Sequence, residues 1–217
     1  MYYTGDFFCD HDRHLIKHYA DLVRGKRSRI LLPLCSKSVD LIWLWRRGHE
    51  VVGVEDICKT VSDFAKTSGM DLTSDDNNNS EAIKDYITAE NMLRALQTNF
   101  MTTSNPFCDH SFDTVWDRSG FASIPPHYRA FYAEAMKKLL TWENFRYLLL
   151  VYEYDDDVVK GPPYSATEDQ IRDLFSDVAN ISRIHQKVMI FDSRYRSNKF
   201  SDSHTDVKEV LYLLRNK

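Results

Sequence analysis

The stretch from residue 29 to residue 56 constrains the fold of this chain most. It reads RILLPLCSKSVDLIWLWRRGHEVVGVED: an apolar run, a turn, a helical segment closed by Gly48, and a second apolar run ending at Glu55. Short apolar runs predict strands buried on both faces, and the strand–helix–strand order predicts parallel neighbours in an α/β sheet. Ligands of such sheets bind outside the carboxyl ends of the strands.

Glu55 is the first candidate for a ligand contact. It follows the turn after the first predicted strand by about twenty residues, the spacing at which these folds place a carboxylate that accepts the hydroxyls of a ribose. The alternative interpretation is an ordinary surface carboxylate at a strand end. The surrounding pattern favours a ribose-bearing cofactor.

The rest of the chain continues the alternation of strands and helices. Helices are predicted at 14–25, 37–48, 59–69 and 126–140, and one more after Thr167, a plausible N-cap. Strands are predicted at 112–118 and 145–154, followed by two closing strands, NISRIHQKVMIFD and VKEVLYLL, antiparallel to each other. Residues 72–81 are polar and predict a solvated loop, whereas 82–101 fit either an amphipathic helix or two strands. The pattern predicts a mainly parallel α/β sheet with helices on both faces.

Composition limits the possible partners. A net charge of -4 and a pI near 6.1 over 217 residues argue against nucleic acid and against an anionic membrane. The N-terminus lacks the order of a secretory signal, and no apolar run approaches the roughly 18 residues of a membrane span. The four cysteines have no paired spacing, so we expect neither a metal site nor disulfides, and a cytoplasmic protein.

The turn after the first strand distinguishes between cofactors. It reads L-C-S-K without glycine, whereas a dinucleotide requires backbone amides to approach a pyrophosphate closely. A phosphate-binding G-x-x-x-x-G-K-[ST] loop is also absent from the sequence. S-adenosylmethionine contains a ribose but no phosphate. The sequence therefore favours a methyltransferase over a dehydrogenase.

Several segments together resemble the thiopurine S-methyltransferase family. They are RILLPLCSKSVDLIWLWRRGHEVVGVE, FDTVWDRSGF, FYAEAMKKLL, YLLLVYEYD, GPPY and QIRDLF, and the likeness covers residues 8–217. It implies a Rossmann-like class I methyltransferase with a seven-stranded, mainly parallel sheet and an antiparallel C-terminal strand pair. It also implies one domain over 1–217 with an N-terminal lid at 1–25. The expected reaction converts S-adenosylmethionine to S-adenosylhomocysteine and methylates a small, aromatic or heterocyclic thiol, with the protein acting as a monomer.

The resemblance also implies site residues. Leu34 matches a backbone contact to the methionine part of the cofactor, and Glu55 matches the ligand of the ribose hydroxyls. Phe8 and Arg194 match acceptor-side residues, and Arg118 matches an arginine near both cofactor and acceptor. The full cofactor-binding set is Leu34, Cys35, Ser36, Glu55, Asp56, Thr98, Asn99 and Arg118, and the substrate-binding set is Phe8, Arg118, Pro163 with its neighbour Pro162, and Arg194.

The expected chemistry depends on positioning. A partly ionised thiol is already a nucleophile, so alignment matters more than a strong base. A nearby cation favours the thiolate, and Arg118 is the main candidate, with Arg194 as a second. Asp117 is expected to orient Arg118 or to relay a proton. The alternative for Arg118 is an arginine paired with a surface carboxylate.

The chain departs from the family pattern in three places. Ser36 replaces a glycine, which would cost free energy if the backbone there has a positive φ. The family's R-G-A appears as Arg118, Ser119 and Gly120. The family's N-terminal lid contains tryptophans, and in this chain only other aromatic residues could replace them, namely Tyr2, Tyr3, Phe7 and Phe8.

Three other functions stay open at this point. The same fold could methylate a selenol or an inorganic acceptor such as halide, thiocyanate or sulfide. A protein with Ser36 and the altered lid could bind S-adenosylmethionine with weakened catalysis. A nucleotide-dependent dehydrogenase is disfavoured by the turn without glycine.

Overall fold

A computed structural model describes residues 11–36, 38–75, 84–88, 92–98, 111–118, 120–141, 143–155, 160–192 and 204–217. Helices and strands alternate up to residue 67 and again from residue 114 to residue 192, as the sequence pattern predicts. The strands are β1 Arg29–Pro33, β2 Glu50–Glu55, β3 Asp71–Asp75, β4 Lys84–Ile87, β5 Leu93–Gln97, β6 Thr114–Asp117, β7 Arg146–Glu153, β8 Ala179–Asp192 and β9 His204–Asn216. The helices are α1 Arg13–Lys17, α2 Tyr19–Val23, α3 Asp40–Trp45, α4 Cys58–Thr67, α5 Gly120–Ser123, α6 Arg129–Leu139 and α7 Glu168–Phe175, with a 3₁₀ turn at Pro126–Tyr128.

The described strands form one sheet in the order β3-β4-β5-β2-β1-β6-β7-β9-β8. The central strands β5, β2, β1, β6 and β7 are parallel, and β9 pairs antiparallel with both β7 and β8. The chain leaves β1 first toward β2 on one side and later reaches β6 on the other side. The carboxyl end of β1 is therefore the point where the strand order reverses, which is where open α/β sheets bind their ligands.

The predicted fold class is confirmed, with one addition to the sheet. The predicted seven strands are present, and β3 and β4 extend the sheet beyond β5 as antiparallel neighbours. The interpretation of 72–81 as a loop is wrong at its start, because residues 72–75 belong to β3. The ambiguous stretch 82–101 contains two strands, since Leu93, Ala95 and Leu96 are buried where β5 pairs with β2.

Apolar side chains fill both faces of the sheet. Alternate residues of β1 point to opposite sides, so Leu31 joins one hydrophobic cluster and Ile30 and Leu32 join the other. Helices α5, α6 and α7 contribute to the first cluster, and α1, α2, α3 and α4 contribute to the second. None of the helices in the described ranges is long and apolar enough to cross a bilayer.

Helix ends differ from the sequence-based bounds, most of all in the first two predicted helices. The predicted helix 14–25 is two short helices, because His18 leaves helical geometry (φ -106°, ψ 16°) between α1 and α2. Helix α3 begins only at Asp40, since the residues before it form the turn after β1. The N-cap at Thr167 is confirmed, and Gln170 completes a capping box with it.

A buried carboxylate connects four elements beside the reversal point. Asp117 Oδ2 accepts hydrogen bonds of 2.6 Å from the hydroxyls of Tyr132 and Tyr147, and Oδ1 accepts one of 3.1 Å from the Phe121 N–H. Gly120 fits under this cluster, because a Cβ there would lie 2.6 Å from the Tyr132 hydroxyl oxygen. The glycine in R-S-G is therefore required by close packing at residue 120.

We predict that Gly120→Ala lowers the free energy of unfolding by about 1–3 kcal/mol, because the added methyl group overpacks this cluster. Removing the opposing hydroxyl with Tyr132→Phe should relieve part of that loss. In a double-mutant cycle measured by urea denaturation, the combined loss should be smaller than the sum by at least about 0.5 kcal/mol. Ser123→Ala at the exposed end of α5 is the control, with a change within about 0.5 kcal/mol. Strict additivity would contradict the steric explanation.

Candidate active site

The turn after β1 has unusual backbone geometry. Leu34 and Ser36 have φ values of 45° and 49°, a left-handed conformation that is costly for residues with a Cβ. The Cys35 N–H donates a 3.0 Å hydrogen bond to the Val54 carbonyl, which ties the turn to β2. Gly53 permits this contact, since a Cβ there would lie 2.8 Å from Cys35 Sγ.

The carboxylate of Glu55 connects the end of β2 to this turn. Oε2 accepts a 2.8 Å hydrogen bond from the Ser36 N–H, and Oε1 accepts bonds of 3.0 and 3.2 Å from the N–H groups of Asp56 and Ile57. Its side chain is buried, with 6% exposure for the residue. Burial, followed by the neighbouring Asp56, raises the pKa of Glu55 to about 7, although backbone N–H donors act in the opposite direction. The carboxylate therefore changes its charge near neutral pH.

A cavity of about 120 Å³ lies at the carboxyl ends of β1 and β6. This is the reversal point of the strand order, so the cavity occupies the place that the fold provides for a ligand. Burial raises the pKa of the Cys35 thiol above its usual value, and the charge of Glu55 adds to this. Cys35 is thus a neutral wall residue rather than a nucleophile. The lining residues are Leu32, Pro33, Cys35, Ser36, Ser38, Trp116 and Arg118.

Arg118 is held in the cavity wall by the N-terminal helix. Its Nε lies 2.9 Å from Asp12 Oδ2, and Asp12 is also the N-cap of α1. The Asp12 N–H donates to Asp40 Oδ1 at 2.9 Å, and Trp116 Nε1 donates to Asp40 Oδ2 at 3.0 Å. Sequence reasoning did not identify Asp12 or Asp40 as site residues. Asp12 could have been recognised as an N-cap, but nothing along the chain indicates its contact with Arg118.

The structure places Asp117 in the core and not among the residues that line the cavity. Its side chain is fully buried, and its oxygens accept the hydrogen bonds from Tyr132, Tyr147 and Phe121 described above. It is also absent from the residues that line the cavity. Asp117 therefore holds the core together, and the carboxylate that contacts Arg118 Nε is Asp12.

The remaining predicted residues are placed as follows. Thr98 follows β5, and its N–H donates a 3.0 Å hydrogen bond to the Glu55 carbonyl. This bond places Thr98 beside Glu55, the candidate ligand of the ribose. Asp56 is exposed directly after Glu55, and Leu34 packs against the core beneath the turn. Pro163 lies in the loop after β7, where its carbonyl accepts a hydrogen bond from the Tyr154 hydroxyl. Phe8, Asn99 and Arg194 lie outside the described residues.

The sheet order and the carboxylate at the end of β2 define a class I S-adenosylmethionine-dependent methyltransferase. A solved structure with a similar fold is magnesium protoporphyrin IX methyltransferase from Synechocystis PCC 6803 with bound S-adenosylmethionine. The TM-score is 0.57 at 13% identity, and the match covers 94% of this chain and 80% of that chain. This likeness concerns the fold.

Sequence comparison then shows the family. The profile of the thiopurine S-methyltransferase family matches residues 6–217. A probable thiopurine S-methyltransferase from Danio rerio is 34% identical over 94% of this chain and 86% of that protein. Thiopurine S-methyltransferase from Bos taurus is 30% identical over 88% of this chain and 78% of that protein. The chain belongs to the thiopurine S-methyltransferase family, and S-adenosylmethionine is its cofactor.

The residues at the crevice fit this cofactor. Glu55 places a buried carboxylate at the strand end where a ribose is bound in such folds. The left-handed residues Leu34 and Ser36 direct the turn around the cavity rim without the glycine that a pyrophosphate would require. The prediction of a phosphate-free cofactor is therefore confirmed.

We predict that Ser36→Gly raises the free energy of unfolding by about 0.5–1 kcal/mol. Glycine adopts a positive φ without steric cost, and this gain exceeds the larger conformational entropy that glycine has in the unfolded chain. Urea denaturation measures the change. Ser62→Gly, inside α4, is the control and should lose about 0.5 kcal/mol, because glycine is a poorer helix former than serine. A loss of stability at both positions would contradict the left-handed geometry of Ser36.

Proposed function

We propose that this protein transfers the methyl group of S-adenosylmethionine to the sulfur of a small aromatic or heterocyclic thiol. The observation that supports this most is the position of Arg118, a cation in the wall of the cavity at the end of β6. The family membership supports the same acceptor class, since the relatives described above are named as thiopurine S-methyltransferases.

For cofactor binding, we assign Glu55 to the ribose hydroxyls. The backbone of the turn Leu34–Ser36 would hold the methionine part, and Asp56 with Thr98 would flank the adenine. This assignment is supported by their common position around the carboxyl ends of β1, β2 and β5. Asn99, which follows Thr98, is proposed for the adenine as well.

S-adenosylmethionine supplies an electrophilic methyl group on a sulfonium. The protein must align a sulfur nucleophile with that group and exclude water, which is catalysis by positioning. Arg118 favours the thiolate form of the acceptor, because an opposite charge lowers the pKa of a nearby acid. Asp12 fixes the Nε side of the guanidinium, and the thiol proton leaves to solvent.

The N-terminal segment belongs to the same proposal. We expect residues 1–25 to form a lid on a single methyltransferase domain of residues 1–217, because Asp12 joins α1 to Arg118 and to Asp40. Phe8 and Arg194 are proposed to contact the acceptor, with Pro163 on the acceptor side. A monomer in the cytoplasm without a nucleic-acid partner is the expected form.

The charge state of Glu55 should control cofactor affinity. The pKa of its carboxylate is raised to about 7, and ribose hydroxyls donate best to the ionised form. We predict that isothermal titration calorimetry gives a Kd for S-adenosylhomocysteine that falls roughly 5–10-fold from pH 6 to pH 8, as the carboxylate loses its proton.

The variant that tests this pH dependence is Glu55→Gln, which keeps the shape of the side chain and replaces the carboxylate by an amide that does not titrate. It should bind S-adenosylhomocysteine about 10–100-fold more weakly at pH 8 and show no rise in affinity over this pH range. Wild-type affinity in Glu55→Gln would refute the ribose assignment.

A comparison of two acceptors and a variant of Arg118 test whether the acceptor is an organic thiol. Methylation of 2-nitro-5-thiobenzoate by the wild type should exceed methylation of iodide. Arg118→Gln should lower kcat/KM for the thiol about 10–100-fold and shift the acid limb of its pH profile to higher pH, since the thiolate loses its cation. Arg46→Gln, at an exposed arginine after α3, is the control. It should leave kcat/KM for the thiol and the acid limb of the pH profile unchanged.

Two outcomes would replace the proposal. Faster methylation of iodide than of any thiol would favour an inorganic acceptor. Binding of S-adenosylhomocysteine without turnover of any thiol or halide would favour a cofactor-binding protein with weakened catalysis.

A further inference from the structure

A cluster of two histidines and a carboxylate lies apart from the methyltransferase crevice. His14 on α1, His185 on β8 and Glu209 on β9 each offer one ligand atom, and these atoms lie within 4.8 Å of one another. His14 Nε2 is 2.9 Å from Glu209 Oε1. None of the three lines the cavity at β1 and β6.

The fold brings these side chains together through the register of the last two strands. Glu209 pairs with Lys187, so His185, two residues before Lys187, points to the same face of the sheet as Glu209. Helix α1 covers that face and places His14 against it, with its ring centroid 4.6 Å from that of His185. Two of the ligand candidates are therefore fixed by the sheet, and the third is supplied by the helix.

An unsatisfied atom indicates that the cluster lacks a partner. His185 Nε2 is buried and has no hydrogen-bond partner among the described residues. Buried polar atoms of this kind are rare in native proteins and require an explanation. His14 is 3% exposed and Glu209 is 7% exposed, so bulk water is largely excluded from the other two groups.

We propose that His14, His185 and Glu209 bind a divalent transition-metal ion such as Zn²⁺. Imidazole nitrogen and carboxylate oxygen are usual zinc ligands at about 2.0–2.2 Å, so side-chain shifts on the order of 1 Å would close the site. A water molecule would complete the fourth position. The ion would fasten α1 to the end of the sheet through His14. This residue follows Asp12, which contacts Arg118, by two positions.

Arg13 provides a test in which a substitution should strengthen metal binding. Its Nη2 donates to Glu209 Oε1, and its side chain is 59% exposed. A metal ion must compete with this guanidinium for Glu209. Removing the competing charge should therefore strengthen metal binding, whereas removing a ligand should weaken it.

The experiment titrates tag-free, chelator-treated protein with Zn²⁺ alone by calorimetry. We expect one ion per chain with a Kd of about 1 µM or lower, a 10–100-fold weaker Kd for His185→Gln, and at least a threefold tighter Kd for Arg13→Gln. His127→Gln is the control, since His127 is exposed and its ring packs at a tilt against that of Tyr128, away from the cluster. Absence of binding to the wild type, or unchanged binding in His185→Gln, would overturn the proposal.

A spectroscopic measurement on the wild type avoids dependence on any variant. The zinc-loaded protein should show two imidazole nitrogens and further oxygen ligands in its X-ray absorption spectrum. Sulfur scattering would place the ion on cysteines and overturn the proposal. Neither readout requires methyltransferase activity, so this site and the proposed function can fail separately.

Discussion

The carboxylate of Glu55 is the contact on which the ligand crevice depends. It accepts the N–H of Ser36 from the turn after β1 and two N–H groups from the residues that follow β2. These bonds hold two parallel strand ends in one arrangement around the reversal point of the sheet. The cost of burying the charge appears as a raised pKa near 7. The same group therefore connects the two strand ends and is the ligand that we propose for the ribose.

Arg118 shows how a second element reaches this crevice. The guanidinium lies at the end of β6, but its Nε contacts Asp12 at the start of α1, and Asp12 in turn binds Asp40 at the start of α3. The arginine that we propose for the acceptor site is thus positioned by a helix about a hundred residues earlier in the chain. The proposed metal site on the same helix would act on this arrangement through α1, because His14 follows Asp12 by two residues.

Sequence patterns predicted the elements better than the side-chain partners. The parallel core followed from short apolar runs alternating with amphipathic helices, and the position of Glu55 followed from its distance after the first turn. Strand β3 was missed because its mostly polar residues 72–75 have weak strand propensity and are placed in the sheet by pairing with β4. Asp117 was assigned to the site because its neighbour Arg118 suggested a shared role, whereas its hydrogen-bond partners in the fold, Tyr132 and Tyr147, come later in the chain.

The amino-acid sequence alone was sufficient to predict the fold class, a ribose-bearing cofactor without phosphate and the candidate at the end of β2. These follow from the periodicity, spacing and turn residues of short segments, which form strands, turns and helices by local physical chemistry, whereas the family follows from the resemblance of several segments to known sequences. Three findings required the folded structure: Asp12 contacts Arg118, Asp117 is buried in the core, and His14 lies beside His185 and Glu209. Those contacts join residues far apart in the chain, and their distances are set by strand order and register, which no local pattern specifies.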